Sequence, residues 1–221
     1  MDRHSRARLT ERHIELFDAD TLFGRLARAV CAANCLPRKE LFEAWETAKR
    51  VRRRLRGGTV VDVAGGHGLV AFAMLLLDNS SPRALVVDKR QPESFARLER
   101  VLVERWPRLT GRVTYVEARL RDVDLPEDAL LIGVHACGPL TDRVLDAALA
   151  GRHRVAVLPC CHSVERCDTG KLDGWLPPAL AIDATRAARL RGAGWAVHTA
   201  TIPADITPEN RLLIGVPGAA G

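Results

Sequence analysis

From residue 59 onward, the sequence alternates short apolar runs with segments of helical periodicity, and this alternation constrains the fold more than any other feature. The first run, residues 59–63, ends in glycines and leads into an apolar helical segment at 69–77, after which a second run spans 84–88. Strand, glycine turn, helix and strand in this order form a βαβ unit with parallel strands. Because the strands are almost entirely apolar, both faces of the sheet are expected to be covered by helices.

The same pattern predicts the rest of the sheet. Helical periodicity recurs at 92–106, 141–149 and 183–191, and further strands are predicted at 112–117, 129–134, 154–158, 195–202 and 211–216. The last two strands are joined by too few residues for a helical crossover, so they are expected to pair antiparallel. The predicted fold is α/β: a Rossmann-like, doubly wound, mostly parallel seven-stranded sheet with an antiparallel C-terminal hairpin.

Residues 1–58 are predicted to be an N-terminal helical cap on the domain formed by residues 59–221. Two apolar stripes at helical spacing occur in the cap, one at Leu22, Phe23, Leu26 and Val30 and the other at Leu41, Trp45, Ala48 and Leu55. Both stripes are expected to face the core. Pro37 fits the first turn of the second helix, since proline is favoured there.

The excess positive charge of the chain lies in this N-terminal region. The net charge is +6, and residues 1–58 contain 14 Lys and Arg against 8 Asp and Glu, whereas the remaining residues are balanced. Residues 49–56 alone hold six cations. Such a run suits contact with nucleic-acid phosphates, and the alternative is a solvated helix end whose cations offset the helix dipole. The run by itself leaves both interpretations open, and one of them is RNA bound through the basic N-terminal region.

The chain is expected to be cytoplasmic, with no membrane partner. Its longest apolar stretch, residues 69–77, is far shorter than the roughly 20 residues of a bilayer-spanning helix. The first residues are charged, unlike those of a secretory signal. In that compartment the six cysteines are expected to be free thiols or metal ligands rather than disulfides.

The glycine turn after the first strand is the most informative stretch. Gly65, Gly66 and Gly68 lie between a strand and a helix, where the backbone can approach a nucleotide closely. Ligands of open α/β sheets bind at the carboxyl ends of the strands, where this turn lies. Asp88 closes the next strand and is suited to accept hydrogen bonds from both ribose hydroxyls. An adenosine-containing cofactor is therefore expected here.

The identity of that cofactor depends on the residues around the glycines. The spacing Gly66-x-Gly68-x-x-Ala71 with a later acid also fits a dinucleotide fingerprint. However, Asp62 ends the first strand, where it can meet an amino or main-chain group, and a terminal antiparallel hairpin is foreign to the usual dinucleotide sheet. On these residues the chain resembles the class I S-adenosylmethionine-dependent methyltransferases, although Ala64 stands where their first glycine often lies. The resemblance implies S-adenosyl-L-methionine as the cofactor.

The resemblance also implies an acid near the adenine of the cofactor, after the third strand. Here Arg119 occupies the position where many of these methyltransferases carry that acid. Asp122 is the substitute that we expect to contact the cofactor.

Two further motifs follow the fourth and fifth strands. His-x-Cys-Gly-x-x-Thr-Asp spans residues 135–142, and Cys-Cys-His spans residues 160–162. Both are expected to project toward the edge that carries the glycine turn. They resemble a methyltransferase subfamily that includes the tRNA acceptor-stem ribose 2′-O-methyltransferases. The resemblance covers roughly residues 41–216 and implies that the acceptor approaches over His135 and Cys160, without fixing its identity.

The predicted catalytic residues are His135, Cys160 and His162. The two histidines are suited to take a proton from the reacting group, although His135 has the alternative roles of orienting a loop or binding the cofactor. The cysteines after both strands also resemble those of RNA 5-methylcytosine methyltransferases, in which one thiolate attacks the base and a second assists release. The local motifs fit that family less well.

A metal site is the remaining alternative for the soft side chains. The candidate ligands are Cys31, Cys35, Cys160, Cys161, His162 and Cys167. Adjacent cysteines are awkward ligands for one tetrahedral ion, and the sequence contains no Cys-x-x-Cys pair. We therefore predict free thiols and no metal.

Together these features predict an S-adenosylmethionine-dependent methyltransferase that modifies RNA, with tRNA as the narrower expectation. Three alternatives remain: a small-molecule or protein methyltransferase with the same cofactor site, a nicotinamide-dependent oxidoreductase, and a non-catalytic RNA-binding or scaffold protein. Salt-insensitive activity would favour the first, binding of a reduced nicotinamide the second, and binding of neither cofactor the third.

Overall fold

A computed structural model describes residues 2–218; residue 1 and residues 219–221, at the ends of the two predicted domains, lie outside the described residues. The helices are α1 (Leu22–Ala33), α2 (Arg38–Arg54), α3 (Leu69–Leu77), α4 (Glu93–Arg105), α5 (Pro139–Gly151) and α6 (Pro178–Gly192). The strands are β1 (Val60–Val63), β2 (Ala84–Asp88), β3 (Val113–Glu117), β4 (Leu130–Gly133), β5 (Arg154–Val157), β6 (Ala196–Thr201) and β7 (Arg211–Val216). Short 3-10 helices occur at Glu11–Phe17, Pro107–Leu109 and Leu120–Asp122. None of the helices within residues 2–218 has both the length and the apolar character needed to cross a bilayer.

All seven strands form one sheet in the order β3-β2-β1-β4-β5-β7-β6. The pairs among β1 to β5 are parallel, whereas β7 runs antiparallel to both β5 and β6. The strand order reverses between β1 and β4, which leaves a crevice at their carboxyl ends. The predicted doubly wound, mostly parallel sheet with an antiparallel C-terminal hairpin is confirmed.

Two hydrophobic layers enclose the sheet. On one face, Leu41 of α2, Phe72 of α3 and Leu98 of α4 belong to one buried cluster. On the other face, Val144 of α5 and Leu190 of α6 form a second cluster. Every residue of β1 is buried, because this central strand is covered on both sides. This double covering explains why the strands are almost continuously apolar in sequence.

The N-terminal helices belong to the first of these layers. α2 packs against α3, and α1 packs against α4. Thr21 caps α1, since its side chain accepts a hydrogen bond from the backbone N–H of Gly24. Pro37 stands one residue before α2 with an extended ψ of 154°, so it ends the preceding connection rather than entering the first helical turn.

Residues 2–10 cross the start of α2 at the carboxyl edge of the sheet. The backbone N–H groups of Arg38 and Lys39, which begin α2, each donate to a carbonyl oxygen of this segment at 3.0 Å. Arg3 in the segment pairs with Asp205, in the loop between β6 and β7, at 3.0 Å. The segment is thereby tied to the same edge as the glycine turn.

The basic run at residues 49–56 lies at the opposite edge, because it ends α2 and precedes the amino end of β1. Four of its six cations are paired within the chain: the pairs are Lys49–Glu46, Arg50–Glu46, Arg52–Asp78 and Arg56–Asp78. In the part of the chain that the structure describes, Arg53 and Arg54 are exposed and form no ion pair. Arg52 and Arg56 therefore fix the end of α2 to Asp78, which follows α3, at the edge opposite the glycine turn, whereas Lys49 and Arg50 form their ion pairs within α2.

Candidate active site

The turn between β1 and α3 requires left-handed backbone conformations. Gly66 and Gly68 have φ values of +48° and +74°. Ala64 has a φ of +55°, a conformation that is unfavourable by about 1–2 kcal/mol for a residue with a Cβ. Gly65 is needed for space instead, since a Cβ there would lie 2.7 Å from Cγ1 of Val86 on β2. The turn is therefore packed directly against β2 at the carboxyl edge.

Asp62 on β1 is a buried carboxyl beneath this turn, with 1% of its surface exposed. Its Oδ2 accepts a hydrogen bond from the backbone N–H of Ala71, in the first turn of α3, at 3.2 Å. Burial raises the pKa of Asp62 to about 7; the Ala71 bond opposes that rise, and the charge of Asp88 adds to it. A cationic group placed beside Asp62 would favour its ionised form.

Asp88, the last residue of β2, holds the glycine turn. Its Oδ2 accepts a hydrogen bond from the backbone N–H of Gly66 at 3.2 Å, and its Oδ1 accepts one from the N–H of Lys89 at 2.7 Å. The carboxylate therefore lies beside the turn, at the carboxyl end of the second strand. The contact of Asp88 with the ribose of the cofactor remains a prediction.

A cavity of about 220 Å³ opens at the glycine turn. Its walls are formed by Glu40, Ala44, Asp62, Ala64, Gly65, Gly66, His67, Leu69, Val70 and His135. Among these described residues, two carry carboxyl groups, two carry imidazoles and none is Lys or Arg. The cavity is therefore suited to a ligand that carries positive charge.

Glu40, on the first turn of α2, forms part of this wall through His67. The Nε2 atom of His67 lies 3.2 Å from Oε2 of Glu40, and its Nδ1 lies 2.6 Å from Oγ of Ser94. Burial acts to raise the pKa of Glu40, but the His67 hydrogen bond and the nearby charge of His135 outweigh it and hold this pKa below its usual value. Nothing in the sequence around Glu40 marks it as a site residue, because the contact joins α2 to the glycine turn.

His135 follows β4 and lines the same cavity. The structure describes all three predicted catalytic residues. Of these, His135 is the one that lines the cavity together with Asp62 and the glycines. Its loop is closed by a hydrogen bond from the Thr141 side chain to the carbonyl oxygen of Ala136. The crevice between β1 and β4 thus brings the histidine and the predicted cofactor turn together.

Cys160 lies outside the cavity wall and contacts two other thiols. Its Sγ is 2.8 Å from Sγ of Cys137 and 3.9 Å from Sγ of Cys161. Burial, followed by the hydrogen bond with Cys137, raises the pKa of the Cys160 thiol above its ordinary value. All six cysteines of the chain are free. The three neighbouring thiols connect the loops that follow β4 and β5.

His162 is enclosed by acidic side chains. Its Nε2 lies 2.8 Å from Oδ1 of Asp183 on α6, and its Nδ1 lies 3.6 Å from Oε2 of Glu209. Arg211 on β7 pairs with Asp183 at 2.7 Å. Burial acts to raise the pKa of Asp183, but His162 and Arg211 outweigh it and lower this pKa. The structure therefore places His162 beside the Arg211–Asp183 ion pair, in a polar cluster that ties the loop after β5 to α6 and β7, away from the cavity wall.

Arg186 on α6 anchors the loop that carries His135 and Cys137. Its guanidinium is buried, pairs with Asp142 of α5 at 2.8 Å and donates to the carbonyl oxygen of Gly138 at 3.1 Å. These contacts fix the end of the loop where α5 begins.

Asp122 ends the short 3-10 helix that follows β3. It is exposed, and its Oδ1 lies 3.5 Å from Nε of the adjacent Arg121. It does not line the cavity at the glycine turn. Its contact with the adenine remains a prediction.

Comparison with known proteins assigns this chain to a family. A family model described as a methyltransferase domain matches residues 39–166, more than half of the chain. A search of curated proteins finds no match.

Solved methyltransferase structures share the fold. An O-methyltransferase family protein from Burkholderia thailandensis aligns with a TM-score of 0.52 and 18% identity over 96% of this chain and 64% of that chain. The S-adenosylmethionine-dependent methyltransferase SibL aligns with a TM-score of 0.51 and 18% identity over 96% of this chain and 66% of that chain. The B. subtilis tRNA methyltransferase TrmK aligns with a TM-score of 0.50 and 13% identity over 78% of this chain and 65% of that chain. This chain thus spans just under two thirds of the length of each.

The matched region begins in the first turn of α2 and extends beyond β5. It includes the glycine turn, Asp88, His135 and the three neighbouring thiols. The family match confirms the predicted methyltransferase domain. The chain therefore belongs to the methyltransferase domain family that is matched over residues 39–166.

Proposed function

We propose that this chain transfers the methyl group of S-adenosyl-L-methionine to RNA. The observation that carries the cofactor assignment is the cavity at the glycine turn, whose described walls hold the carboxyl groups of Glu40 and Asp62 and no Lys or Arg. S-adenosylmethionine carries a positive ammonium and a positive sulfonium, which these carboxyl groups attract. The pyrophosphate of a nicotinamide cofactor would be repelled by them.

Different residues of the site are proposed to contact different parts of the cofactor. In the proposed complex, Asp88 accepts hydrogen bonds from the ribose, Asp62 and Glu40 face the amino-acid end, and Asp122 approaches the adenine. The bound cofactor supplies an electrophilic methyl group on a positively charged sulfur. Gly66 allows close approach, since nothing lies within 4 Å of the position that its Cβ would occupy. The chain contributes mainly by holding the donor in a fixed orientation.

On the acceptor side, His135 is the proposed proton acceptor, because it shares the cavity with the cofactor residues. Its imidazole would take the proton that leaves the acceptor group as the new bond to the methyl carbon forms. Cys160 is proposed to lie beside the acceptor on the neighbouring loop. His162 has both ring nitrogens close to carboxylates, so its proposed contribution is to position that loop.

Exposed cations at the carboxyl edge of the sheet support RNA as the acceptor. Arg6 and Arg8 lie on the segment that crosses the start of α2, and Lys89 and Arg90 directly follow β2. All four are exposed, and within residues 2–218 none of them forms an ion pair. Cations at the same edge of the sheet as an acidic cavity suit a polyanion whose phosphates remain outside while its reacting group enters. A tRNA ribose hydroxyl is the finer proposal, and it rests on the resemblance of the two motifs after β4 and β5.

The cofactor assignment is tested by calorimetric titration with S-adenosylhomocysteine, NADH and NADPH. We expect binding of S-adenosylhomocysteine alone, at least 10-fold weaker in Asp88→Asn, because a hydrogen bond to a charged group contributes about 1.5–3 kcal/mol. Asp146→Asn, an exposed acid on α5, is the matched control and should bind normally. Binding of a nicotinamide cofactor without S-adenosylhomocysteine would refute the assignment.

The acceptor is tested by incubating the chain with labelled S-adenosylmethionine and RNA pools that include tRNA. We expect label in RNA, and we expect His135→Ala to remove it while S-adenosylhomocysteine still binds. Nucleoside analysis would then identify the methylated atom. Label in protein or in small molecules, with RNA unlabelled, would overturn the RNA proposal but leave the cofactor assignment standing.

A further inference from the structure

Three thiols meet where the loops after β4 and β5 approach each other. Cys137 lies on the first loop, and Cys160 and Cys161 lie on the second. The two parent strands are parallel neighbours, so their carboxyl ends are adjacent. The backbone N–H of Gly138 donates to the carbonyl oxygen of Cys161 at 3.1 Å and joins the loops directly. Because the two motifs are far apart in sequence, the sequence alone does not predict that these three thiols are neighbours.

The separations of the sulfur atoms suit coordination of one metal ion. All three Sγ atoms lie within 4.8 Å of one another. Thiolates that bind Zn²⁺ at about 2.3 Å in a tetrahedron are separated by about 3.8 Å. The adjacent Cys160 and Cys161 have Sγ atoms 3.9 Å apart, so their adjacency in sequence does not prevent shared coordination. Cys137 and Cys160, at 2.8 Å, would have to separate by about 1 Å to reach the tetrahedral spacing.

The surroundings of the cluster leave it accessible and supported. Cys137 and Cys161 are exposed, and Cys160 is half-buried, so an ion can enter from solvent. The first loop is held at Gly138 by the buried Arg186. The other cysteines are elsewhere: Cys31 and Cys35 are buried in the N-terminal region, and Cys167 packs against Arg186. A disulfide would use two of the three clustered thiols, whereas a metal ion uses all three.

We propose that Cys137, Cys160 and Cys161 form a binding site for one thiophilic divalent metal ion, with Zn²⁺ as the expected occupant. Among the described residues, the cluster supplies three ligand atoms, so the fourth tetrahedral position is left to solvent. Binding converts the three thiols to thiolates and releases their three protons to solvent, so that the ion and its three ligands together carry one negative charge. The ion would tie together the loops that follow β4 and β5, the first of which carries His135 of the cavity wall.

The test uses the full chain, reduced and treated with a chelator, and titrated with Co²⁺ and then with Zn²⁺. We expect one Co²⁺ per chain, with near-ultraviolet absorption from sulfur-to-cobalt charge transfer, and displacement of that absorption by Zn²⁺. Cys137→Ser and Cys161→Ser should each weaken Co²⁺ binding at least 10-fold and reduce the charge-transfer absorption. The double variant Cys31→Ser/Cys35→Ser is the matched control and should keep the full signal.

The Cys161→Ser variant is expected to fold normally, because Cys161 is exposed and its replacement removes no buried side chain. Circular dichroism of each variant would establish that the fold is retained. Failure of the reduced, folded chain to bind either ion overturns the proposal, as does unchanged Co²⁺ absorption in both ligand variants. Since the titration contains no cofactor or RNA, its outcome is independent of the proposed methyl transfer.

Discussion

Ala64 is the residue at which the glycine turn is strained. It adopts a φ of +55°, a conformation that glycine reaches without the steric cost of a Cβ. Glycine relieves a left-handed strain of about 1–2 kcal/mol but adds about 0.4–1 kcal/mol of unfolded-state entropy. We expect Ala64→Gly to raise the free energy of unfolding by about 0.5–1 kcal/mol, and Tm by about 1–3 °C.

Thermal denaturation would measure this effect. Ala96→Gly, at an exposed position within α4, is the matched control, and we expect it to destabilise the chain by about 1 kcal/mol because its backbone is helical. A lower Tm in Ala64→Gly would show that the strain at Ala64 is smaller than the unfolded-state entropy that glycine adds.

Asp62 makes the stability of the chain depend on pH. Its folded-state pKa is about 7, raised mainly by burial, whereas an unfolded Asp has a pKa of about 3.9. Between about pH 4 and about pH 7, the Asp62 carboxyl keeps its proton in the folded chain but has released it in the unfolded chain. The contribution of Asp62 to the free energy of unfolding therefore falls as pH rises from about 4 to about 7, by up to about 1.4 kcal/mol per unit, and is constant above that range.

Asp62→Asn removes this titration and keeps an oxygen that can accept the Ala71 hydrogen bond. We expect the Tm of Asp62→Asn minus that of the unsubstituted chain to increase between pH 5 and pH 7.5. The same difference for Asp146→Asn, where the side chain is 65% exposed, should stay nearly constant. A difference for Asp62→Asn that does not change with pH would contradict the raised pKa.

At the scale of single residues, the sequence predicts what depends on close neighbours. The glycines and Asp62 lie within a few positions of one another, so their turn can be predicted from composition and spacing. Glu40 and Arg186 are not, because each acts through partners on distant elements: His67 for the first, and Asp142 and Gly138 for the second. Such residues become visible only when the helices are packed.

At the scale of elements, α5 and α6 are joined by two ion pairs of the same chemistry but different burial. Arg186 and Asp142 pair at 2.8 Å with 2% and 27% of their side chains exposed. Arg189 and Asp146 pair at 2.9 Å with 37% and 65% exposed. Removing one partner of a buried pair leaves an uncompensated charge, whereas an exposed pair is screened by solvent.

Because Arg186 keeps a longer pair with Asp183 at 3.4 Å, we expect Asp142→Asn to lower the free energy of unfolding by about 2 kcal/mol, and Asp146→Asn by less than about 1 kcal/mol. Urea denaturation of the two variants would compare them directly. Equal losses would show that burial of Arg186 does not determine the strength of the contact between these helices.

The elements themselves were predictable because strand and helix periods differ and glycine or proline separates them. All seven strands follow from that pattern, and the short connection between β6 and β7 dictates their antiparallel pairing. The basic run at the end of α2 shows the limit of this approach. Its charge is evident in sequence, but its ion pairs with Glu46 and Asp78 depend on the packing of the side chains.

At the scale of the whole molecule, the positive charge of the N-terminal region is divided between two edges of the sheet. Arg6 and Arg8 lie on the segment that crosses the start of α2 at the carboxyl edge, whereas Arg53 and Arg54 lie at the end of α2, on the opposite edge. Both pairs are exposed, and both pairs of substitutions remove the same charge. They therefore separate binding at the proposed active site from non-specific attraction to a basic chain.

We expect the double variant Arg6→Ala/Arg8→Ala to bind RNA more weakly than the unsubstituted chain, and Arg53→Ala/Arg54→Ala to bind nearly as well. Each lost phosphate contact should also reduce the slope of log K against log salt concentration by about 1. Fluorescence anisotropy of labelled tRNA at several salt concentrations would measure both quantities. Equal weakening in the two variants would indicate attraction by net charge, and weakening in the Arg53→Ala/Arg54→Ala variant alone would move RNA to the edge opposite the cavity.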